Sequence, residues 1–424
     1  MLPSPEERKR MREEKAAQRA KRQAKMMRLR LIAAAVVLIT CGVLIFAFAG
    51  KNSKPDTPNI DSTQSTAQGT TEASTTEPEK SPTTVIHYAA AGDLNINDAT
   101  VASGGTGYVY TDTFIDVAHL LADADISSVN FEGTLTGEPY GSSASAPQSM
   151  ALALQKAGVD LVQMANSYSI SRGLSGLRSS IDSIRAAGME PLGVYSTNED
   201  FRQGKGYVIR NVQGVKMAFV AFTKGMDGMA LPAGSENCVN VLYSDYDSGY
   251  QTVFTEKITS ILSAVNKEKP DITIALLHWG SEFNNTISSS QEAIVGLMQA
   301  NGVDAIIGTH SHYVQKMTFD REKGRFVAYS LGDFFSNAER SGSEYSVVLD
   351  LEITKNNETG QTKITNYSYT PIFTVREQEK PLRVVRIKEA MEAYENGFLQ
   401  KVSQQTYEKM SYALERIAAR VTGE

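Results

Sequence analysis

A chain of 424 residues with 41% hydrophobic side chains can bury a sizeable core, and its length suits one large domain or about two to three average ones. Its two cysteines, Cys41 in an apolar run and Cys238 far downstream, leave no pair placed to close a structural disulfide and give no support to a thiolate metal site. The first thirty residues hold eleven Lys or Arg against four Glu, so removing their net +7 from the chain's −6 leaves −13 for residues 31–424. Bulk attraction of nucleic acid or another polyanion is thereby excluded, and any such binding rests on local cations or a metal.

After the basic flank, residues 31–50 (LIAAAVVLITCGVLIFAFAG) run twenty positions without a charge, the length of an α-helix that crosses a bilayer. The positive flank places residues 1–30 in the cytoplasm and the remainder outside, as the domain of a single-pass cell-membrane protein. A cleaved signal peptide is the alternative, suggested by Ala47-Phe48-Ala49, but the apolar run exceeds the usual h-region of about 7–15 residues, so a retained anchor is expected. From Lys51 to Thr84, fourteen of thirty-four residues are Ser or Thr and four are Pro, a composition that reads as a flexible tether.

From Val85 short apolar runs alternate with longer amphipathic ones, which predicts an α/β domain over 85–375 and a helical segment over 376–424. Strands are expected at Val85–Ala91, Ile126–Phe131, Leu161–Met164, Val215–Phe222, Ile272–Leu277, Ala305–Ile307, Arg325–Tyr329, Tyr345–Ile353 and Lys363–Tyr369. Helices are expected at Thr113–Ala122, Leu174–Ala187, Tyr250–Lys267, Gln291–Ala300 and Ile387–Ala418. The last two strands adjoin without a helix between them, so the sheets are expected to be mixed. In the C-terminal segment Val385, Met391, Tyr394, Phe398, Val402 and Leu414 are available for one apolar face.

Five polar clusters sit just past the ends of expected strands, where open α/β sheets gather ligands. They are Gly92-Asp93, Asn130-Phe131-Glu132-Gly133, Asn166-Ser167-Tyr168, His278-Trp279-Gly280-Ser281-Glu282 and Gly308-Thr309-His310-Ser311-His312. Three of the five histidines lie in them, whereas His87 and His119 fall inside a strand and a helix and read as structural. Imidazoles and carboxylates gathered in this way suit Zn, Mn or Fe, with oxygen-rich sites leaning to Mn.

Taken in order with Tyr329-Ser330-Leu331-Gly332-Asp333-Phe334, these clusters resemble the CapA family of capsule and poly-γ-glutamate synthesis proteins over about Val85 to Asn337. The resemblance implies a fold related to the calcineurin-like metallophosphoesterases, a four-layer α-β-β-α sandwich of two mixed sheets with metals at strand-end loops. It also implies Asp93 and Glu132 as carboxylate ligands, Glu132 bridging two metals, and His278, His310 and His312 as imidazole ligands, with Asn130, Asn166, Ser167, Glu282 and Asp333 in the same pocket.

The third cluster departs from the family's N-N-H-x-x-D-x-G run: Ser167 stands in the place of an Asn ligand, Tyr168 in that of the His and Ser171 in that of the Asp. In related phosphoesterases that His is the general acid, a role worth about 10²–10⁴-fold, and a phenol with an ordinary pKa near 10 suits neutral pH less well. Asp333, where the family usually has Asn, is either an added ligand or a turn residue. Three readings follow: a metal-dependent hydrolase of the envelope, a general phosphodiesterase, and a component for assembly or export of an anionic surface polymer, working with membrane partners, that binds without turnover. The altered third cluster favours the last.

Overall fold

In a computed structural model of the chain, the described residues are 81–142, 144–337, 340–377, 381–398 and 402–423. The expected transmembrane run and Ser/Thr-rich tether lie outside them. Among the described residues no helix is long and apolar enough to cross a membrane.

Fourteen strands in two mixed sheets form the framework of the described residues. The first sheet contains β1 (Thr83–Asn95), β2 (Ile126–Glu132), β3 (Leu161–Gln163), β4 (Glu190–Leu192), β11 (Asp333–Phe335), β12 (Tyr345–Asn356), β13 (Thr362–Val375) and β14 (Arg383–Arg386). Its order is β14-β13-β12-β1-β2-β3-β4, and β11 pairs with β1. The second contains β5 (Tyr207–Val212), β6 (Val215–Thr223), β7 (Ile272–His278), β8 (Ala305–Thr309), β9 (Met317–Asp320) and β10 (Arg325–Ala328), in the order β5-β6-β7-β8-β10-β9. Strands β1 to β4 run parallel, as do β6, β7, β8 and β10, while the outer pairs are antiparallel. All parallel strands of a sheet therefore deliver their C-terminal ends to one edge.

The period of two along a strand assigns the layers. Ile86, Tyr88 and Ala90 of β1 face Met217, Phe219, Ile274 and Ile307 in a cluster between the sheets. Ala89 and Ala91 point the other way, into a cluster with α3 (Gln148–Lys156) and α4 (Gly173–Ala186). Ala218, Val220 and Leu277 pack on α6 (Thr255–Lys267) and α7 (Ser289–Ala300) beyond the second sheet. Helices, sheet, sheet and helices thus succeed one another. The remaining helices are α1 (Asp98–Ala102), α2 (Ala118–Ala122), α5 (Asn198–Gly204), α8 (Ile387–Glu395) and α9 (Gln404–Thr422).

Several elements differ from the sequence expectation. The helix expected from Thr113 begins only at Ala118, because Phe114 is drawn into a trio with Phe334 (5.4 Å) and Phe335 (5.3 Å), while the Thr113 carbonyl accepts from the Val384 N–H. Similarly, the helix expected from Tyr250 begins at Thr255: Tyr250 has φ +53° and Tyr243 bridges to Val253. The single helix expected over 387–418 is two, α8 and α9. Gly397, at φ +75°, follows the first and the Ser403 hydroxyl caps the second. Their buried face is Ile387, Ala390, Met410, Ala413, Ile417 and Val421, packed with the inter-sheet cluster; Val385 lies in β14, and Phe398 is 83% exposed rather than on that face.

Two close approaches explain glycines at the site edge. A Cβ on Gly92 would lie 1.8 Å from the Gly332 carbonyl oxygen, and one on Gly308 would lie 1.9 Å from that of Tyr329. Only hydrogen at these positions lets β1 and β8 meet the 329–333 segment that carries Asp333.

Candidate metal centre

The C-terminal ends of β1, β2, β7 and β8, the loop after β3 and the start of β11 bring the strand-end clusters together. Asp93, Asn130, Glu132, Asn166, Ser167, His278, His310, His312 and Asp333 are all buried, whereas the Glu282 carboxylate is half-exposed at the mouth. Tyr168 is partly buried. His87 and His119 stay outside, His87 pairing with Asp350 across β1 and β12 at 3.0 Å.

Asn130 is the hub of the first side. Its Nδ2 donates to Asp93 Oδ1 at 2.7 Å and to Glu132 Oε1 at 3.1 Å, and lies 3.3 Å from His278 Nδ1. Asn166 supports the hub from behind: its Nδ2 donates to Asn130 Oδ1 (3.0 Å) and the Phe131 carbonyl (2.7 Å), while its Oδ1 accepts from the Tyr168 N–H (3.0 Å). The Asn166 amide is therefore spent on holding the loop. Ser167 Oγ is 3.2 Å from His278 Nε2, and His278 Nδ1 is 3.2 Å from both Glu132 Oε1 and Thr309 Oγ1.

On the second side His312 Nδ1 lies 2.8 Å from Asp333 Oδ1 and 3.9 Å from Asp93 Oδ2, with its Nε2 3.9 Å from Glu282 Oε1. The ring is stacked on Phe283, centroids 4.8 Å apart. His310 and His312 both occupy the left-handed region, at φ +91° and +58°, a conformation that costs a side-chain-bearing residue about 1–3 kcal/mol. The His310 N–H donates to Asp93 Oδ2 at 2.9 Å, which offsets part of that cost.

The titration of these groups follows from burial and mutual charge. Burial, eased by His312 and worsened by Asp333, raises Asp93 to about 6. Burial and the Asp93 charge hold Glu132 well above its ordinary value. Burial keeps His278 well below the usual imidazole value, and burial with the Lys224 and His312 charges takes His310 to about 3. His312 goes the other way: burial pulls it down, but the charge and hydrogen bond of Asp333 with help from Glu282 and Glu132 hold it well above. Burial and the Glu132 and Glu282 charges push the Tyr168 phenol up to about 12.

Two sets of donor atoms could hold cations. Glu132, His278 and His310 each offer one atom, all within 4.8 Å of one another, and so do Asp93, His312 and Asp333. His310 Nε2 is buried without a hydrogen-bond partner, a state that costs about 1–3 kcal/mol and that coordination would relieve. Neutral imidazoles beside carboxylates that repel one another are the donor chemistry of Zn, Mn or Fe. The residues present therefore fit a divalent ion.

Because ligands coordinate in their deprotonated forms, ion uptake must displace protons from Asp93, Glu132 and His312, while His278 and His310 are already neutral. Affinity is expected to rise with pH through about 6, the Asp93 value, and to continue rising as His312 deprotonates. Calorimetry in buffers of different ionisation enthalpy should register net proton release at neutral pH. Uptake without proton release would contradict the assignment.

Sequence reasoning missed three groups: Thr309, which contacts His278; Phe283, under His312; and Lys224, one residue past β6, whose Nζ donates to the Gly280 carbonyl at 3.0 Å. Thr309 and Phe283 stand in or beside strand-end clusters, where a hydroxyl next to His310 or a ring next to Glu282 carries no signal of its own. Lys224 stands two residues beyond Phe222, the end of its expected strand, and carries no signal that ties it to the strand-end clusters.

A family model described as bacterial capsule synthesis protein PGA_cap matches residues 87–338. Among curated proteins, the chain is 26% identical over 260 residues to the capsule biosynthesis protein CapA of Bacillus anthracis, covering 59% of each chain. It is 23% identical over 229 residues to the PGA biosynthesis protein CapA of Bacillus subtilis (strain 168), covering 53% of this chain and 56% of that one. The match thus spans less than two thirds of either relative. Among solved structures, a novel phosphatase from Mycoplasma pneumoniae aligns with TM-score 0.42 at 14% identity, covering 68% of this chain and 94% of that one. The calcineurin-like phosphoesterase YfkN from Bacillus subtilis aligns with TM-score 0.42 at 16% identity, covering 80% and 97%.

Proposed function

The chain belongs to the bacterial capsule synthesis protein PGA_cap family, and from that premise we propose that it is a membrane-anchored extracytoplasmic component for assembly or export of an anionic surface polymer. The observation that carries this reading is the convergence of the strand-end carboxylates and imidazoles on one cleft. Glu132, His278 and His310 would hold one divalent ion, and Asp93, His312 and Asp333 another, with Mn, Zn or Fe as the candidates. A bound ion would supply Lewis acidity and an anchor for an oxyanion. Asn130 and Asn166 fix the carboxylates, and Phe283 and Asp333 fix the His312 ring.

Turnover is the weaker part of the site. A phenol at about 12 is a poor proton donor near neutral pH, and Ser171, in the place of an orienting carboxylate, leaves its buried hydroxyl without a hydrogen-bond partner. The proposed role is therefore to bind polymer or a membrane partner. An active metal-dependent hydrolase of the envelope is the second reading, favoured by the complete carboxylate and imidazole set.

Deleting the gene from its own cell should lower surface-associated anionic polymer, and the intact gene should restore it. Unchanged polymer in the deletion strain would contradict the role. The charge asymmetry about residues 31–50 gives a separate expectation. Protease added to intact cells should degrade the region after Val85, and full protection would contradict the extracytoplasmic placement.

A further inference from the structure

Lys224 lies one residue past β6, and its backbone N–H donates to the His278 carbonyl at 2.7 Å. Its Nζ donates to the Gly280 carbonyl at 3.0 Å and sits 4.6 Å from the centroid of the Tyr250 ring. The side chain is thus laid along the Trp279–Glu282 loop, on the wall that carries His278 and Glu282.

An ammonium has three donors. One is used on Gly280, a ring face covers part of the rest, and among the described residues Lys224 forms no ion pair. This is unusual in its setting, because the cleft beside it is lined by Asp93, Glu132, Glu282 and Asp333 and the domain as a whole is acidic. Burial weighs against the Lys224 ammonium, and although Glu282 and Asp227 favour its charge neither pairs with it, so its remaining donors are open to another anion. Its Nζ sits on the carbonyl of Gly280, two residues before Glu282, whose carboxylate lies 3.9 Å from His312 Nε2. Resting on the metal-centre reading above, we infer that Lys224 is a specificity-determining residue that contacts an anionic group, carboxylate or phosphate, of the molecule bound in the cleft. An ammonium is a compact point charge that pairs with either oxyanion.

The test uses the full-length chain loaded with Mn²⁺, as wild type, Lys224→Met and Lys224→Arg. Metal content is measured by mass spectrometry, and inorganic phosphate and glutarate are titrated by calorimetry. Lys224→Met should bind at least one anion about tenfold or more weakly, the size of one charge-assisted hydrogen bond, while Lys224→Arg keeps most of the affinity and all three hold equal metal. Loss confined to phosphate would assign a phosphate ester, and loss confined to glutarate a carboxylate polymer. Unchanged binding of both anions by Lys224→Met would overturn the inference, as would a wild type that holds metal but binds neither. Metal loss in Lys224→Met parallel to its anion loss would overturn it too, by showing that Lys224 supports the centre. If the wild type takes up no metal, the proposed centre falls, and the same anion titrations on the unloaded proteins still decide Lys224.

Discussion

His278→Ala combined with His310→Ala is expected to lower divalent-metal affinity by more than about 100-fold, since the loss of a group that merely supports a ligand already costs about 10–100-fold. Both rings are buried, stand 4.4 Å apart between centroids, and offer donor atoms to the same set as Glu132. Burial keeps both neutral, so they are ready to coordinate without losing a proton. Removing them leaves Glu132 with no imidazole partner in that set. Equilibrium titration with Mn²⁺ and Zn²⁺ checks the effect, and thermal unfolding of the variant establishes that it is folded. A folded double variant with wild-type affinity would remove these histidines from the centre.

The combined variant Ser167→Asn, Tyr168→His and Ser171→Asp should raise turnover of a model phosphodiester by at least about tenfold, a conservative share of what a positioned general acid contributes. In the native chain the Tyr168 phenol sits at about 12, and its backbone N–H is tied to Asn166 Oδ1. That tie fixes the loop beside Glu132 and His278, so an imidazole at 168 would stand where the phenol does. A carboxylate at 171 could orient it, and an amide at 167 would replace the hydroxyl now on His278 Nε2. Initial rates under metal saturation provide the readout. Robust wild-type turnover with no gain in the variant would show that Tyr168 is no impediment and would favour the hydrolase reading.

The candidate site was legible because its residues stand immediately after apolar strand runs, where a change from buried aliphatic to polar residue marks the strand end. Asp93, Glu132, His278, His310 and His312 were all read in this way and all meet in the cleft. The role of Asp333 was left between ligand and turn residue, since only the fold brings β11 beside β1 and the carboxylate within 2.8 Å of His312. Titration was less legible. Acid sensitivity would be assigned to all three imidazoles from composition alone, but burial makes His278 and His310 poor bases, so His312 shares the sensitivity with the carboxylates of Asp93 and Glu132.

Secondary structure failed where local pattern and tertiary demand diverge. Strand β5 (YVIRNV) carries Arg210 and Asn211 and lacks the uniform apolar character of β6, yet it pairs with β6 along its length through the Gln213-Gly214 turn, both residues at positive φ. Helix α3 (QSMALALQK) follows Pro147 without a side-chain cap and gains its stability by burying Met150, Ala151, Ala153 and Leu154. Gly397 interrupts a C-terminal amphipathic run long enough to read as one helix.

The central claim is that the strand-end carboxylates and imidazoles form a divalent metal centre, and the metal content of the full-length chain purified without chelators tests it most directly. Mass spectrometry should find one ion or about two per chain, as two adjacent donor sets allow, with anomalous scattering placing them among Glu132, His278 and His310 and among Asp93, His312 and Asp333. A folded wild-type chain that carries no divalent metal, and takes up none when titrated at neutral pH, would contradict the claim.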